Sequence, residues 1–303
     1  MKVLYFLESI RVPILDELML LVTRLGEETA FLVMALIVFW CVDKRKGYYI
    51  MSVGFIGTML NQFLKLVCAV PRPWVLDPEF SIVEKAREAA TGYSFPSGHS
   101  QSAVGTFGTL AAVVKNKCLR GICIGVCVLV PVSRMYLGVH TPSDVLAGSL
   151  CALMLILVMK PMVHLKNDRG MKAIIGLMLV LAVGLTLYVQ LWPFPADMDE
   201  HNLSSGLKNA YTMLGCMAGV AMVYPLEKKY VKFETKAIWW AQLLKVVLGL
   251  GVVLLVKEGL RAPLELVLSV YPARAVRYFL IVLVAGSIWP MSFRWFSKLG
   301  VKK

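Results

Sequence analysis

Charged side chains are scarce in this sequence. They make up 17% of the 303 residues, and hydrophobic residues make up 58%, whereas about 25% of the residues in soluble domains are charged. The apolar residues are grouped in blocks as long as a helix that crosses a bilayer, about 20 residues. One such block could be a buried core helix, but a succession of them leaves that reading little room. The sequence therefore predicts an all-α fold, a polytopic bundle of transmembrane helices.

Acidic residues are the scarcer of the two charged classes. There are 19 Asp and Glu against 32 Lys and Arg, which gives a net charge of +13. A basic protein could bind nucleic acid, but the basic residues here form short clusters between apolar blocks. That distribution is typical of loop charges that set membrane topology. We therefore expect membrane lipids as partners, and no nucleic acid.

Cysteine and histidine are also few, with seven and four residues. Most of the cysteines lie within apolar segments, and none has the paired spacing of a metal site. We interpret them as small apolar residues rather than disulfides or ligands, and we expect no metal and no cofactor. A signal peptide is not expected either, because charged residues such as Glu8, Arg11 and Asp16 interrupt the apolar residues near the N-terminus.

Nine apolar segments are predicted to span the membrane after an amphipathic helix. Residues 3–25 carry apolar residues near helical spacing with charges between them, which predicts a helix lying on the interface. The spans are predicted at about 28–42, 48–70, 98–114, 121–139, 142–163, 173–192, 206–225, 237–256 and 275–296. No linker marks a second domain. We therefore expect a single membrane domain over 1–303, made of the interfacial helix at 1–26, a core at 27–192 and accessory transmembrane helices at 193–303.

The basic turns predict the orientation of the chain. Lys and Arg are concentrated in the turns after the odd-numbered spans, for example in 43–47 and at Lys160 and Lys166. By the positive-inside rule that side is cytoplasmic. The turn after the eighth span, with Lys257 and Arg261, departs from the rule. The residues considered next are therefore predicted to lie on the extracytoplasmic side.

His140 and Asp144 are the first candidates for chemistry. Pro142 is favourable in the first turn of a helix and Thr141 is a suitable N-cap, so both side chains lie around one helix start. Asp144 could accept a proton from one imidazole nitrogen and leave the other as a nucleophile or general base. The alternative is that Thr141 and Asp144 form only a capping arrangement, with His140 a loop histidine.

Ser97, Gly98 and His99 form the second candidate group. A small Ser-Gly pair at the start of a helix exposes backbone N–H groups, where the helix dipole favours an anion. His99 would then lie beside a bound phosphate and could protonate a leaving oxygen. The alternative is an ordinary turn from a loop into a helix.

Lys65, Arg72 and Arg134 are candidate phosphate ligands near the predicted ends of spans. Phosphoryl transfer depends on cations around the phosphate oxygens, and Arg offers a planar fork where Lys offers a point charge. Each cation alone is equally well explained by a side chain that extends from a helix end to the interface. Their combination with two histidines and a carboxylate on one side of the membrane favours a phosphate site.

The three groups together resemble a known family. The order and spacing Lys65-x6-Arg72-Pro73, Pro96-Ser97-Gly98-His99 and Ser133-Arg134-x5-His140-x3-Asp144 are similar to the signature of the type-2 phosphatidic acid phosphatase superfamily. The resemblance covers residues 65–144, and the number of spans also resembles the glucose-6-phosphatase branch. It implies a six-helix phosphatase core with about three extra C-terminal spans and the N-terminal interfacial helix.

The resemblance also implies metal-independent hydrolysis of a phosphate ester. His140 would attack phosphorus and form a phosphohistidine, His99 would protonate the leaving group and then activate water, and Asp144 would orient His140. Five residues would hold the phosphate oxygens: Lys65, Arg72, Ser97, Gly98 and Arg134.

Three functions are open at this point. We expect a lipid phosphatase that acts on a phosphate monoester or diphosphate, because a lipid presents its phosphate at the interface while its tail enters between spans. The alternatives are a hydrolase of a soluble phosphate ester, such as a sugar phosphate, and a transporter or phosphate-lipid binder without turnover. For the first reading we expect a multi-pass protein of a bacterial inner or cell membrane with an extracytoplasmic active site.

Overall fold

The structure is all-α over the residues it describes. The computed structural model describes residues 1–88, 90–164, 168–195 and 198–299, and no β-strand occurs among them. The predicted fold class is confirmed. Lys166, which belongs to one of the predicted cytoplasmic turns, lies outside the described residues.

The helices follow one another with short connections. In chain order they are α1 (Lys2–Ser9), α2 (Pro13–Thr23), α3 (Glu28–Ile37), α4 (Lys44–Cys68), α5 (Pro73–Leu76), α6 (Gly98–Ala103), α7 (Thr109–Val113), α8 (Lys117–Tyr136), α9 (Pro142–His164), α10 (Arg169–Leu191), α11 (Glu200–Leu226), α12 (Trp239–Gly259), α13 (Arg261–Val267), α14 (Val270–Leu283), α15 (Trp289–Met291) and α16 (Phe293–Phe296). Turns of 3₁₀-helix lie at Arg24–Gly26 and Glu84–Ala86, and π-helical turns lie at Val38–Val42, Val104–Gly108, Glu227–Val231 and Val284–Ile288.

Six helical stretches of the described chain are long and apolar enough to cross a membrane: Lys44–Leu76, Lys117–Tyr136, Pro142–Pro161, Arg169–Leu191, Trp239–Val267 and Val270–Phe296. A seventh results if Pro13–Gly26 and Glu28–Val42, which meet at 53°, form one broken span. The segments predicted as the third and seventh spans are helical but are not among the six. The third is short and contains a π-helical turn, and the seventh begins with polar residues, which lowers its hydropathy.

Helix α9 shows the pattern of a lipid-facing span. Leu153, Met154, Leu157 and Val158 are between 46% and 64% exposed. A soluble protein rarely leaves such a contiguous apolar surface in water. The hydrocarbon core of a bilayer covers it at no cost, so the fold describes an integral membrane protein.

The N-terminal segment differs from the single helix predicted over 3–25. It forms two helices, because Val12 is extended (φ −141°, ψ 148°) and Pro13 occupies the first position of α2. Proline lacks the N–H that a continuing helix needs, but it suits a helix start. Arg11 lies in the break, where its Nε donates to the carbonyl of Tyr136 at 2.9 Å and its Nη1 to that of Ser81 at 2.8 Å.

The described residues form two compact units. The first comprises those within Met1–Leu32, Tyr49–His164 and Phe194–Gly206, and the second those within Val33–Tyr48, Leu165–Pro193 and Leu207–Lys303. All the predicted site residues lie in the first unit. The division into an interfacial helix, a core and accessory helices within one domain stays a prediction.

In the second unit, α11 packs closely against α14. A Cβ atom at Gly215 would lie 2.1 Å from the carbonyl oxygen of Ala275, and one at Gly219 would lie 2.7 Å from the Cβ of Val282. The Gly-x-x-x-Gly spacing brings both glycines to one face of α11, so the two backbones can approach.

Candidate active site

His140 lies in the turn that joins α8 to α9. Gly138 in this turn has φ of +81°, a conformation that side chains with a Cβ rarely adopt. The amide of Val139 donates to the carbonyl of Arg134 at 3.2 Å. The turn is therefore tied to the end of α8, and it holds the imidazole in a buried position, 1% exposed.

Asp144 lies in the first turn of α9 and faces the imidazole. Its Oδ2 is 3.4 Å from His140 Nδ1, which is longer than a formed hydrogen bond. The same oxygen accepts hydrogen bonds from Ser94 Oγ at 2.6 Å and from the amide of Thr141 at 2.8 Å. Thr141 Oγ1 in turn accepts from the Asp144 amide at 3.3 Å. The capping arrangement and the contact with His140 thus occur together, so one carboxylate can serve both.

Arg72 approaches the other imidazole nitrogen. Its Nη1 lies 2.9 Å from His140 Nε2 and 3.0 Å from the carbonyl oxygen of Val139. Its Nε and Nη2 donate to the carbonyls of Gly92 and Thr91 at 3.0 and 2.7 Å. Because the guanidinium can only donate, Nε2 must be the acceptor. The neutral ring therefore carries its proton on Nδ1, which faces Asp144.

The surroundings of His140 keep the ring neutral. Burial is the main cause, and the positive charges of Arg72, Arg134 and Lys65 follow, so the pKa of His140 lies well below its usual value of 6.5. A neutral imidazole, which keeps a lone pair on Nε2, is the form that acts as a nucleophile.

Ser97 is the N-cap of α6. Its Oγ accepts hydrogen bonds from Ser100 Oγ at 2.9 Å and from the Ser100 amide at 3.4 Å, and its own amide donates to the carbonyl of Asp144 at 2.9 Å. The Ser97 N–H is therefore already used. A Cβ at Gly148 would lie 2.5 Å from the Ser97 carbonyl oxygen, so only glycine lets α9 pack this closely against the turn.

His99 and Arg134 hold buried polar atoms without partners. Neither His99 Nε2 nor Arg134 Nε has a hydrogen-bond partner among the described residues. Arg134 Nη1 donates to Thr23 Oγ1 at 3.0 Å. Unpaired buried donors are costly, and an anion between these groups would satisfy them.

Lys65 completes the group of cations. Its Nζ donates to the carbonyl of Tyr93 at 2.5 Å. Gly92, with φ of +71°, shapes the loop beneath this side chain. The structure thus brings the three cations, the two histidines, Asp144 and Ser97 together around one buried position. Gly98 follows Ser97 as the first residue of α6. Their roles in binding and catalysis stay predictions.

Three contacts of the site were not predicted from the sequence. Ser94 bonds the carboxylate of Asp144, Thr23 bonds Arg134, and Arg11 bonds the carbonyl at the end of α8. Each partner is distant in sequence, and none belongs to a recognisable spacing. Of these three residues, the sequence could have pointed only to Ser94, because it lies three residues before Ser97 of the second motif.

Comparisons with known proteins identify the family of the chain. Residues 45–168 match the model of the PAP2 superfamily, and residues 211–302 match that of the transmembrane extension of PAP2 superfamily phosphatases. The chain belongs to the PAP2 superfamily. The predicted family is therefore confirmed, and the protein is an integral membrane phosphatase, a phosphoric ester hydrolase. The PAP2 match contains every predicted site residue.

Relatives within the superfamily include proteins from three kinds of organism. Phosphatidylglycerophosphatase B of Bacillus subtilis is 32% identical over 167 residues, which are 50% of this chain and 76% of that protein. Undecaprenyl-diphosphatase of Sulfolobus acidocaldarius is 31% identical over 46% of this chain and 66% of its own length. Sphingosine-1-phosphate phosphatase 1 of Mus musculus is 25% identical over 84% of this chain and 62% of its own length. No solved structure matches the chain.

Proposed function

We propose that this protein hydrolyses the phosphate monoester or diphosphate of a lipid through a phosphohistidine at His140, without a metal ion. The observation that carries the proposal is the position of the imidazole. Asp144 faces Nδ1, and Nε2 is directed at Arg72 within a group of buried cations. This arrangement orients a lone pair and stabilises the anion that it would attack.

The first step forms a bond between Nε2 and phosphorus and breaks the bond between phosphorus and the lipid oxygen. Arg72 donates to Nε2 in the structure, so the incoming phosphate must take over this N–H before the lone pair is free. Burial and the charge of Arg134 lower the pKa of His99. The bound phosphate anion compensates this charge, so that His99 takes up a proton and supplies it to the leaving oxygen. Asp144 stabilises the positive charge that develops on the His140 ring.

The second step releases phosphate. His99, now without its proton, accepts a proton from water, and the water oxygen attacks phosphorus. The phosphorus–nitrogen bond breaks and returns the electron pair to Nε2. The cations of Lys65, Arg72 and Arg134 hold the equatorial oxygens in both steps, and the chain supplies every group that the reaction needs.

A lipid substrate is supported by the surroundings of the site. By their names, the three relatives act on phosphatidylglycerophosphate, undecaprenyl diphosphate and sphingosine-1-phosphate, all of which are lipids. The exposed apolar side chains of α9, such as Leu153 and Leu157, belong to the helix that carries Asp144. An acyl or prenyl tail can therefore lie against the same helix that positions the catalytic group.

An extracytoplasmic site is supported by the distribution of charge. The first turn of α4 carries Lys44, Arg45 and Lys46, whereas the motif cation Lys65 lies in its last turn. Helix α8 likewise begins with Lys117 and carries the motif cation Arg134 in its last turn. Hydrolysis of a membrane-impermeant short-chain lipid phosphate by right-side-out vesicles, and its absence from sealed inverted vesicles, is the expected result. The opposite result would place the site in the cytoplasm.

Phosphate release by the purified full chain in detergent tests the reaction. The panel pairs the three lipid phosphates above with glycerol-3-phosphate and glucose-6-phosphate. His140→Ala should abolish turnover, whereas the control His201→Ala, at an exposed position on α11, should keep it. Equal rates on soluble and lipid substrates would favour the soluble-ester hydrolase. Normal turnover by His140→Ala would refute the phosphohistidine.

A further inference from the structure

Two arginines lie inside the apolar helix α14 of the second unit. Arg274 and Arg277 are three residues apart and so share one face of the helix. Both guanidinium groups lie beside the ring of Tyr278, with Cζ atoms 5.5 and 5.6 Å from its centroid. At a rise of 1.5 Å per residue they lie about 6 and 10 Å from the start of the helix at Val270.

Helix α11 supplies the other side of this cluster. Arg274 Nε donates to Thr212 Oγ1 at 2.6 Å, and that hydroxyl donates to the carbonyl of Lys208 at 2.8 Å. Lys208 is exposed and precedes Thr212 by one helical turn, so it adds a positive charge to the same face of α11. The close approach of α11 and α14 at Gly215 fixes this arrangement.

The positive charge of the cluster is not compensated. Arg277 is 7% exposed, and its buried Nε has no hydrogen-bond partner in the described part of the chain. No ion pair to Arg274 or Arg277 occurs among the described residues, and the neighbouring acid Glu265 is paired with Arg261 at 3.6 Å. Intramembrane cations normally have a partner. The positive end of the α14 dipole adds to the potential, so the site favours an anion.

We propose that Arg274 and Arg277, together with Thr212 and Tyr278, bind the phosphate of an anionic phospholipid. The guanidinium groups bond the phosphate oxygens, and the buried Nε of Arg277 gains its missing acceptor. None of the proposed catalytic residues takes part in this binding site, and the inference does not depend on the proposed reaction.

The rim of the cluster favours a lipid over free phosphate. Leu266 and Val267, just before α14, are 87% and 82% exposed, and acyl chains would cover them. Tyr211 and Tyr271 stack with centroids 5.6 Å apart, and aromatic side chains of this kind concentrate at the level of the headgroups. An inorganic phosphate ion would leave these apolar side chains uncovered.

Native mass spectrometry of the full chain, released from uncharged detergent micelles that contain dioleoylphosphatidylglycerol, tests the proposal. The wild type should retain one more phosphatidylglycerol molecule than Arg274→Gln/Arg277→Gln. The variant should bind phosphatidylglycerol at least roughly tenfold more weakly than the wild type. The control Arg294→Gln, which removes an exposed charge on α16, should match the wild type. Gel filtration and circular dichroism check that each variant is folded.

Other results of the same experiment would overturn the proposal or a part of it. Equal retention of phosphatidylglycerol by the wild type and the double Gln variant would overturn it. Equal displacement by phosphatidylcholine would overturn it too, because charge would then not matter. Displacement by millimolar inorganic phosphate would keep the anion site but overturn the lipid assignment. If the double variant does not fold, the single variant Arg274→Gln decides: it should retain phosphatidylglycerol more weakly than the wild type, and equal retention would overturn the proposal.

Discussion

Replacing Asp144 by Asn should lower kcat by about three orders of magnitude. The carboxylate lies 3.4 Å from His140 Nδ1, and both side chains are buried. The ring becomes a cation when Nε2 bonds to phosphorus. Coulomb's law with an effective dielectric constant of 20 gives an attraction of about 5 kcal/mol at this separation. Since about 1.4 kcal/mol changes a rate tenfold, loss of the charge corresponds to roughly 10³- to 10⁴-fold, and the asparagine dipole recovers part of it.

The same substitution should leave the fold intact. The Oδ1 of asparagine can still accept the hydrogen bonds from Ser94 Oγ and the Thr141 amide. We would measure kcat and KM with a long-chain lipid phosphate in mixed micelles, together with the unfolding temperature. The control Ser94→Ala keeps the charge and removes one hydrogen bond, so its loss should be about tenfold or less. A kcat within tenfold of the wild type for Asp144→Asn would refute the charge argument.

Four further predictions concern other parts of the protein. Because the pKa of His140 is lowered, the ring stays neutral as the pH falls through 6.5. The acid limb of the pH profile of kcat/KM should therefore lie below that pH. Arg72→Leu should raise the pKa of His140 and move this limb to higher pH. Activity should survive EDTA, and its loss with recovery on adding a divalent ion would contradict a metal-free reaction. Gly215→Val should lower the unfolding temperature, because its side chain would meet the Ala275 carbonyl at 2.1 Å. Arg11→Met removes two hydrogen bonds to backbone carbonyls and should lower kcat several-fold at unchanged KM; unchanged kinetics would show that the N-terminal helices do not position the site.

Composition and spacing were enough to predict the class of fold and the members of the site. A helix in lipid must satisfy its backbone hydrogen bonds internally, so apolar blocks of bilayer length could be read as helices without tertiary information. The charged motif residues stood out because charge is costly beside a bilayer. The family signature in residues 65–144 then predicted which of them meet, and the structure places them around one buried position.

The details of the N-terminus and of the second unit were not accessible in this way. Hydrophobic periodicity indicated one helix over 3–25, and it could not show that Arg11 leaves the helix to bond Tyr136, 125 residues away. In the second unit, Arg274 falls in the predicted turn after the eighth span, whose charges depart from the orientation rule, and Arg277 falls within the predicted ninth span. Packing of α14 on α11 buries Arg277 and gives Arg274 a partner in Thr212.

The sequence by itself determined that this protein is a helical membrane phosphatase and which residues form its candidate site, because membrane helices and short motifs are local patterns. Only the tertiary structure decided which contacts orient and charge the side chains of the site. Ser94 reaches Asp144 across 50 residues, and Arg72 reaches His140 Nε2 across 68. The tautomer and the charge of the imidazole depend on these long-range contacts and on burial, and no spacing along the chain specifies either.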